Sequence, residues 1–123
     1  MERNQSTAAH CEVELDIFSG MPNPTWTLTN GEVDRFTQQL GVLPPSAARE
    51  LSGNLGYRGL IVQCTQGTKK QSIRIQRGIV QISRDEATVY MTDQGRELER
   101  QLLNTGKRYL NLDILQIVER EIR

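Results

Sequence analysis

A chain of 123 residues and 14.0 kDa suits one domain that buries roughly two thirds of its unfolded surface, so it needs neither metal nor disulfide staples to fold. Charged residues make up 24% and apolar residues 37%, and no apolar run approaches the roughly 20 residues of a membrane span, which excludes a compositionally disordered chain and a transmembrane helix. The formal net charge is zero, but residues 1–62 hold seven acids against four bases and residues 63–123 eight acids against eleven, leaving the halves at −3 and +3. That modest asymmetry fits two halves facing each other better than a polyanionic partner, so nucleic acid is not an expected ligand.

The amino terminus, MERNQSTAAH, is polar and lacks the basic start and apolar stretch of a secretory signal. Two cysteines are too few for a disulfide scaffold, which predicts a reducing, cytoplasmic location and inert thiols at Cys11 and Cys64. Residues 1–9 show no periodicity and are expected to form a disordered tail ahead of a single domain over residues 10–123.

From His10 the sequence CEVELDIF alternates, with Cys11, Val13, Leu15 and Ile17 on one face and Glu12, Glu14 and Asp16 on the other, the pattern of a half-buried strand. FSGMPNPTW follows. Pro22 and Pro24 fix two backbone dihedrals and push Met21 and Asn23 toward extended geometry, so this stretch is stiff and delivers Trp26 to a defined place. Thr29-Asn30-Gly31-Glu32 reads as a capping box, and Val33, Phe36 and Leu40 then recur at helical spacing, which predicts a helix over 30–41. Pro44 and Pro45 end it and are expected to start a short second helix through SAAREL.

YRGLIVQCT, SIRIQR and IVQIS read as a β-meander, with QGTKKQ as the first connection and Gly78 at a bulge or tight bend. ATVYMT adds a strand. Asp93 then caps the helix GRELERQLLN, which packs through Leu98 and Leu102 and stops at Gly106. NLDILQIVEREI offers Leu115, Val118 and Ile122 as the stripe of a last helix. This order predicts an α+β domain, a mostly antiparallel four- to five-stranded sheet with helices packed on one face.

The single histidine, His10, has no partner at ligand spacing, so no metal site is expected. Gly67-Thr68-Lys69-Lys70 lacks the spacing and following helix of a phosphate-binding loop, and Asp85-Glu86 with Asp93 lacks the regular acid spacing of an EF-hand. No cofactor is expected. The acidic row Glu12, Glu14, Asp16 and the basic set Lys69, Lys70, Arg74, Arg77 are expected to pair across the wet face of the sheet. The same basic hairpin over 69–77 is the feature a nucleic acid would use, although no aromatic residue interleaves with it for base stacking.

The segments DIFSGMPNPTWTL, LGYRG and GRELERQLLNTG resemble those of a group of small uncharacterised proteins from fungi and bacteria, over most of the chain from about residue 12. The resemblance implies a shared fold and carries no activity or catalytic residue.

Two functional readings follow from the residues themselves. In the first, Asp16, Asn23, Trp26, Tyr57 and Arg58 surround one mouth, forming a small-molecule site with an aromatic wall. Asp16 then serves as general acid or base, Arg58 stabilises developing negative charge, Tyr57 orients the ligand, and Phe18, Asn23 and Trp26 contact it. The chemistry would be a cofactor-independent isomerisation or cyclisation, whereas an Asp16–Arg58 salt bridge would lower the aspartate's pKa and make the pair purely structural. In the second reading the chain is a non-catalytic interaction module in which exposed Phe18, Met21 and Trp26 form a docking patch, and a homodimer is compatible with it. A rigid connector whose tryptophan covers one end of the core is the reading of this loop that needs no ligand.

Overall fold

A computed structural model describes residues 9–17, 22–49, 51 and 56–122. Residues 1–8 of the disordered tail expected over 1–9 lie outside them, as do Phe18 and Met21.

The first strand, β1 (His10–Ile17), is followed by a three-residue strand β2 (Thr25–Thr27) and the helix α1 (Asn30–Gly41). Four strands then run in succession: β3 (Tyr57–Gln66), β4 (Lys69–Gln76), β5 (Ile79–Arg84) and β6 (Ala87–Thr92). The helices α2 (Glu97–Gly106) and α3 (Leu112–Ile122) close the order. All strand pairs are antiparallel, in the order β2-β1-β3-β4-β5-β6, and the helices pack on one face. The α+β architecture is therefore as expected, with six strands rather than four to five, because TWT at the end of the proline-rich stretch pairs with β1.

Register explains the core. Trp26, Val13, Val62, Ile73 and Ile82 lie across the sheet on the helix side, and Leu15, Leu60, Ile75 and Val80 form the next row. Alternation puts Glu14, Ile61, Arg74, Gln81 and Tyr90 in one row on the opposite, open face. Val33 and Phe36 of α1, Leu98, Leu102 and Leu103 of α2, and Val118 and Ile122 of α3 complete a single apolar cluster. Among the described residues no helix is long and apolar enough to cross a membrane.

Local signals account for the ends of the elements. The Thr29–Glu32 capping box is present in both directions, with Glu32 N–H donating to Thr29 Oγ1 (3.2 Å) and Thr29 N–H to Glu32 Oε1 (2.9 Å). Residues 46–49 of the expected SAAREL helix are not helical, and Glu50 lies outside the described residues. The chain instead runs along β6, where Pro44 C=O accepts from Thr92 N–H (2.8 Å) and Ser46 N–H donates to Tyr90 C=O (2.9 Å). A segment carrying two prolines thus covers one sheet edge without offering a further run of donors.

Cys11 and Cys64 correct a second expectation. They stand directly opposite in the β1–β3 register and are joined by a disulfide, their Cα atoms 4.1 Å apart. Residues separated by 53 positions in sequence meet because antiparallel partners of this kind bring side chains close. Closing a loop of that length in the unfolded chain stabilises the fold by roughly 4 kcal/mol in the chain-entropy account. The thiols are therefore not free, and cysteine usage no longer argues for a reducing location.

The β1–β3 ladder changes register between Leu15 and Ile17, where Arg58 and Gly59 together oppose Asp16. Gly59 has φ +96°, and a Cβ there would collide with the carbonyl oxygen of Ile75 on the next strand. Gly59→Ala is expected to destabilise the protein by about 2–4 kcal/mol, whereas Gly31→Ala, in the first turn of α1 with open space around it, is expected to be neutral or stabilising by up to about 1 kcal/mol. Urea denaturation of both variants measures the difference, and equal effects would contradict the bulge assignment.

Candidate functional site

The proline-rich stretch is a strut. Pro24 C=O accepts from Leu15 N–H (2.9 Å), Asn23 Oδ1 accepts from Ile17 N–H (3.2 Å), and Asn23 Nδ2 donates to Glu14 Oε2 (2.6 Å). Both ends of the Asn23 amide are thus engaged by β1. Trp26 is then delivered to the helix side, where it is 4% exposed and donates its indole N–H to Thr105 Oγ1 (2.8 Å). Gly106 lies flat beneath the indole, and a Cβ at that position would collide with the ring. The tryptophan therefore seals the carboxy-terminal end of α2 against the sheet and is absent from any surface patch.

The residues expected around one mouth fall on two faces. Asp16 and Arg58 meet on the open face, joined by Arg74 of the basic set expected to pair with the acidic row. Arg58 Nη2 donates to Asp16 Oδ1 (3.1 Å) and Arg74 Nη2 to Asp16 Oδ2 (2.7 Å), while Asp16 itself is 6% exposed. Tyr57 and Trp26 turn to the helix side. Both oxygens of Asp16 accept from guanidinium groups, an arrangement that fixes charge in place rather than presenting a base to a ligand.

Tyr57 enters a buried polar cluster that sequence reasoning missed. Its hydroxyl donates to Glu99 Oε2, and Glu99, fully buried on α2, is gripped by Arg96 through Nε to Oε1 and Nη2 to Oε2, both 2.9 Å. Arg96 takes φ 57° to make that fork, and its hydrogen bond to Glu99 holds its pKa above the usual guanidinium value. Asp93, also buried, accepts from Leu98 N–H (2.9 Å) and Glu99 N–H (3.0 Å), capping α2 as expected. Burial pushes its carboxyl up against the opposing pull of those two donors. One signal was available in the sequence: Glu99 lies in the Leu98, Leu102, Leu103 stripe, where a charge requires a partner.

The expected charge pairing across the wet face is confined to Asp16 with Arg74. β1 and β4 flank β3 and are not paired strands, so only the long Arg74 side chain reaches across to β1, and Arg77 pairs instead with Glu121 of α3 (2.8 Å). The basic hairpin is thereby divided, leaving Lys69 and Lys70 exposed at its tip without an ion pair among the described residues.

Those two lysines border a groove of about 390 Å³ between α1 and the helix side of the sheet. Its apolar surface comes from Phe36, Leu40, Ile73, Ile82, Val89 and Met91, and the Cys11–Cys64 disulfide forms part of its wall. Among the described residues every charged one that lines it is basic: Lys69, Lys70 and Arg84. A second cleft of about 460 Å³, between α1 and α2, is bordered by Glu32 and Arg35 and bridged by a Gln39 Nε2 to Gln101 Oε1 hydrogen bond (2.6 Å), so its charges are of both signs and a polar bridge crosses it. No family model, curated protein or solved structure matches the chain. The fold and grooves thus define an antiparallel α+β domain with an apolar, basic-rimmed groove.

Burial first, and then the Glu99 carboxylate, hold the Tyr57 phenol far above its ordinary value of 10.0. Below that pH the phenol is protonated in both folded and unfolded chains. Above it only the unfolded chain ionises, so Tyr57's contribution to stability is lost as pH rises. Stability of the native protein is expected to fall by up to about 1.4 kcal/mol per pH unit above pH 10 from this group, a slope that Tyr57→Phe removes. Denaturation at pH 9 to 11 tests it, and identical slopes would contradict the burial of this hydroxyl. Trp26 is expected to emit at short wavelength and to resist acrylamide quenching, whereas an indole quenched as readily as free tryptophan would contradict its packing on Gly106.

Proposed function

We propose that this protein is a small-molecule-binding domain that takes an amphipathic organic anion, with an apolar body and a carboxylate-like head, in the groove between α1 and the sheet. The observation that carries the reading is the groove's lining, an apolar floor whose charged border among the described residues is basic. Its volume of about 390 Å³ lies in the range of small-molecule sites. Burial of a hydrocarbon body supplies most of the affinity, while Lys69, Lys70 and Arg84 select the sign of the head group.

The reading favours binding over turnover. Asp16, Tyr57 and Arg58, the residues that would have carried isomerase or cyclase chemistry, are tied into ion pairs and hydrogen bonds away from this groove. A docking module built on Trp26 is disfavoured by the burial of the indole, and a nucleic-acid surface by the engagement of Arg74 and Arg77 with Asp16 and Glu121.

Decanoate, decanol and decyltrimethylammonium provide matched probes for calorimetry. Decanoate is expected to bind more tightly than the alcohol, and the ammonium not at all. The double change Lys69→Glu with Lys70→Glu is expected to weaken decanoate about tenfold, an effect that shrinks at high salt because these charges are exposed. Val89→Asp, at a half-exposed position on the groove surface, should abolish binding while leaving the fold intact. Equal binding of all three probes, or indifference of decanoate to both variants, would overturn the proposal.

A further inference from the structure

The Cys11–Cys64 disulfide is placed where its state alters the groove. Both residues line it, Cys11 is 1% exposed, and Cys64 is the partly accessible member of the pair. The chain contains no other cysteine, so electrons for its reduction come from an external thiol compound. We infer that the disulfide is a redox gate on the groove, with the oxidised protein the high-affinity state; this rests on the groove being the ligand site.

The chemistry is two-electron exchange with a dithiol. A thiolate of the reductant attacks Cys64 Sγ, the S–S bond breaks, and Cys11 leaves as a thiolate. The reductant's second thiolate attacks the mixed disulfide and releases Cys64, both cysteine sulfurs take up protons from solvent, and the reductant departs oxidised as a cyclic disulfide. Two sulfurs bonded at about 2 Å must then separate to roughly 3.5–4 Å, the contact distance of non-bonded heavy atoms.

The protein determines which sulfur moves. Cys11 is enclosed by the core, and the two backbones are held by paired residues on both sides, from His10–Thr65 to Leu15–Leu60. The displacement therefore falls on Cys64, whose free side is the groove. A thiol rotated into that space takes volume from a site of about 390 Å³ and places a weakly polar S–H against the ligand's apolar body. Sheet pairing, helix packing and the rest of the core are unchanged by this step, so the gate acts without unfolding the domain.

Reciprocity gives the inference a second observable. If reduction weakens ligand binding by some factor, bound ligand makes the disulfide harder to reduce by that same factor. The test uses decanoate and dithiothreitol on the full chain. Anaerobic calorimetry is expected to show decanoate binding at least about tenfold weaker after reduction, with an unchanged circular dichroism spectrum. Saturating decanoate is expected to raise the dithiothreitol needed for half-reduction by a matching factor. In the double variant Cys11→Ala with Cys64→Ala, affinity should not respond to dithiothreitol.

The outcomes separate the two ideas. Equal affinity in oxidised and reduced protein overturns the gate and leaves the groove as the ligand site. No binding in either state overturns the groove reading and the gate with it. Loss of the sheet spectrum on reduction, binding confined to the reduced form, or a dithiothreitol response that persists in the double variant each overturns the gate.

Discussion

The absence of a side chain at Gly59 is the constraint on which the arrangement of both sheet faces depends. The Ile75 carbonyl occupies the space that a Cβ would fill, and a φ of +96° lets β3 set two residues against one on β1. Through that shift Tyr57 and Ile17 stay on the helix side, while Arg58 comes to lie beside Asp16 on the open face. Without the bulge, strict alternation from Leu60 would send Tyr57 and Arg58 to the opposite faces. The phenol would then turn to the open face, and the guanidinium would be driven to the helix side opposite Ile17.

The core that results contains charge and survives it because every group is answered. Glu99 receives two guanidinium N–H groups and one phenol, and Asp93 receives two backbone N–H groups at the start of α2. Such a cluster adds little stability over an apolar replacement, because desolvation offsets much of the attraction. Its effect is to fix the position of α2, since sliding the helix by one residue would break several of these bonds at once. Trp26 on Gly106 performs the same function at the helix's other end through close packing. Between these two anchors α2 has one position against the sheet.

The fold was legible in the sequence wherever the signal was local. Alternation gave the strands, the Thr29–Glu32 box opened α1 where it was expected, and Asp93 capped α2. Failures came where two distant segments decide the outcome. TWT carries too few residues to show a period and becomes a strand only because β1 is beside it. SAAREL has helix-forming residues, but tertiary pairing of Pro44 and Ser46 with β6 overrides that preference. The alternation of Cys11 and Cys64 placed both on the inward face, yet their pairing depended on a register between strands 53 positions apart. Among the candidate residues, Asp16 and Arg58 meet, and Tyr57, next in the chain to Arg58, points away. The bulge at Arg58 and Gly59 that separates them was not written in the side-chain pattern. The groove itself had no signature, since its lining comes from α1, β1, β3, β4, β5 and β6.

Why a groove forms where it does follows from dimensions. Six strands at about 4.8 Å spacing make a sheet roughly 25 Å wide, while a helix with its side chains covers only about 10 Å. α1 and α2 pack beside each other, and α3 is tied to α2 by Lys107 with Glu119 and by Arg100 to the Ile122 carbonyl. The roof is therefore concentrated over part of the sheet, and the apolar side of β4 to β6 continues beyond it, leaving Val89 49% exposed. Because the helices cluster over one part of the sheet instead of spreading across it, an apolar strip is left that their packing does not cover. The proline segment borders that strip at β6, and Lys69, Lys70 and Arg84 limit it at the hairpin ends. Basic residues around exposed apolar surface keep it hydrated at its margins and discourage adventitious pairing with another sheet. They also give the strip a sign, and that sign is what leads the proposed ligand to be an anion.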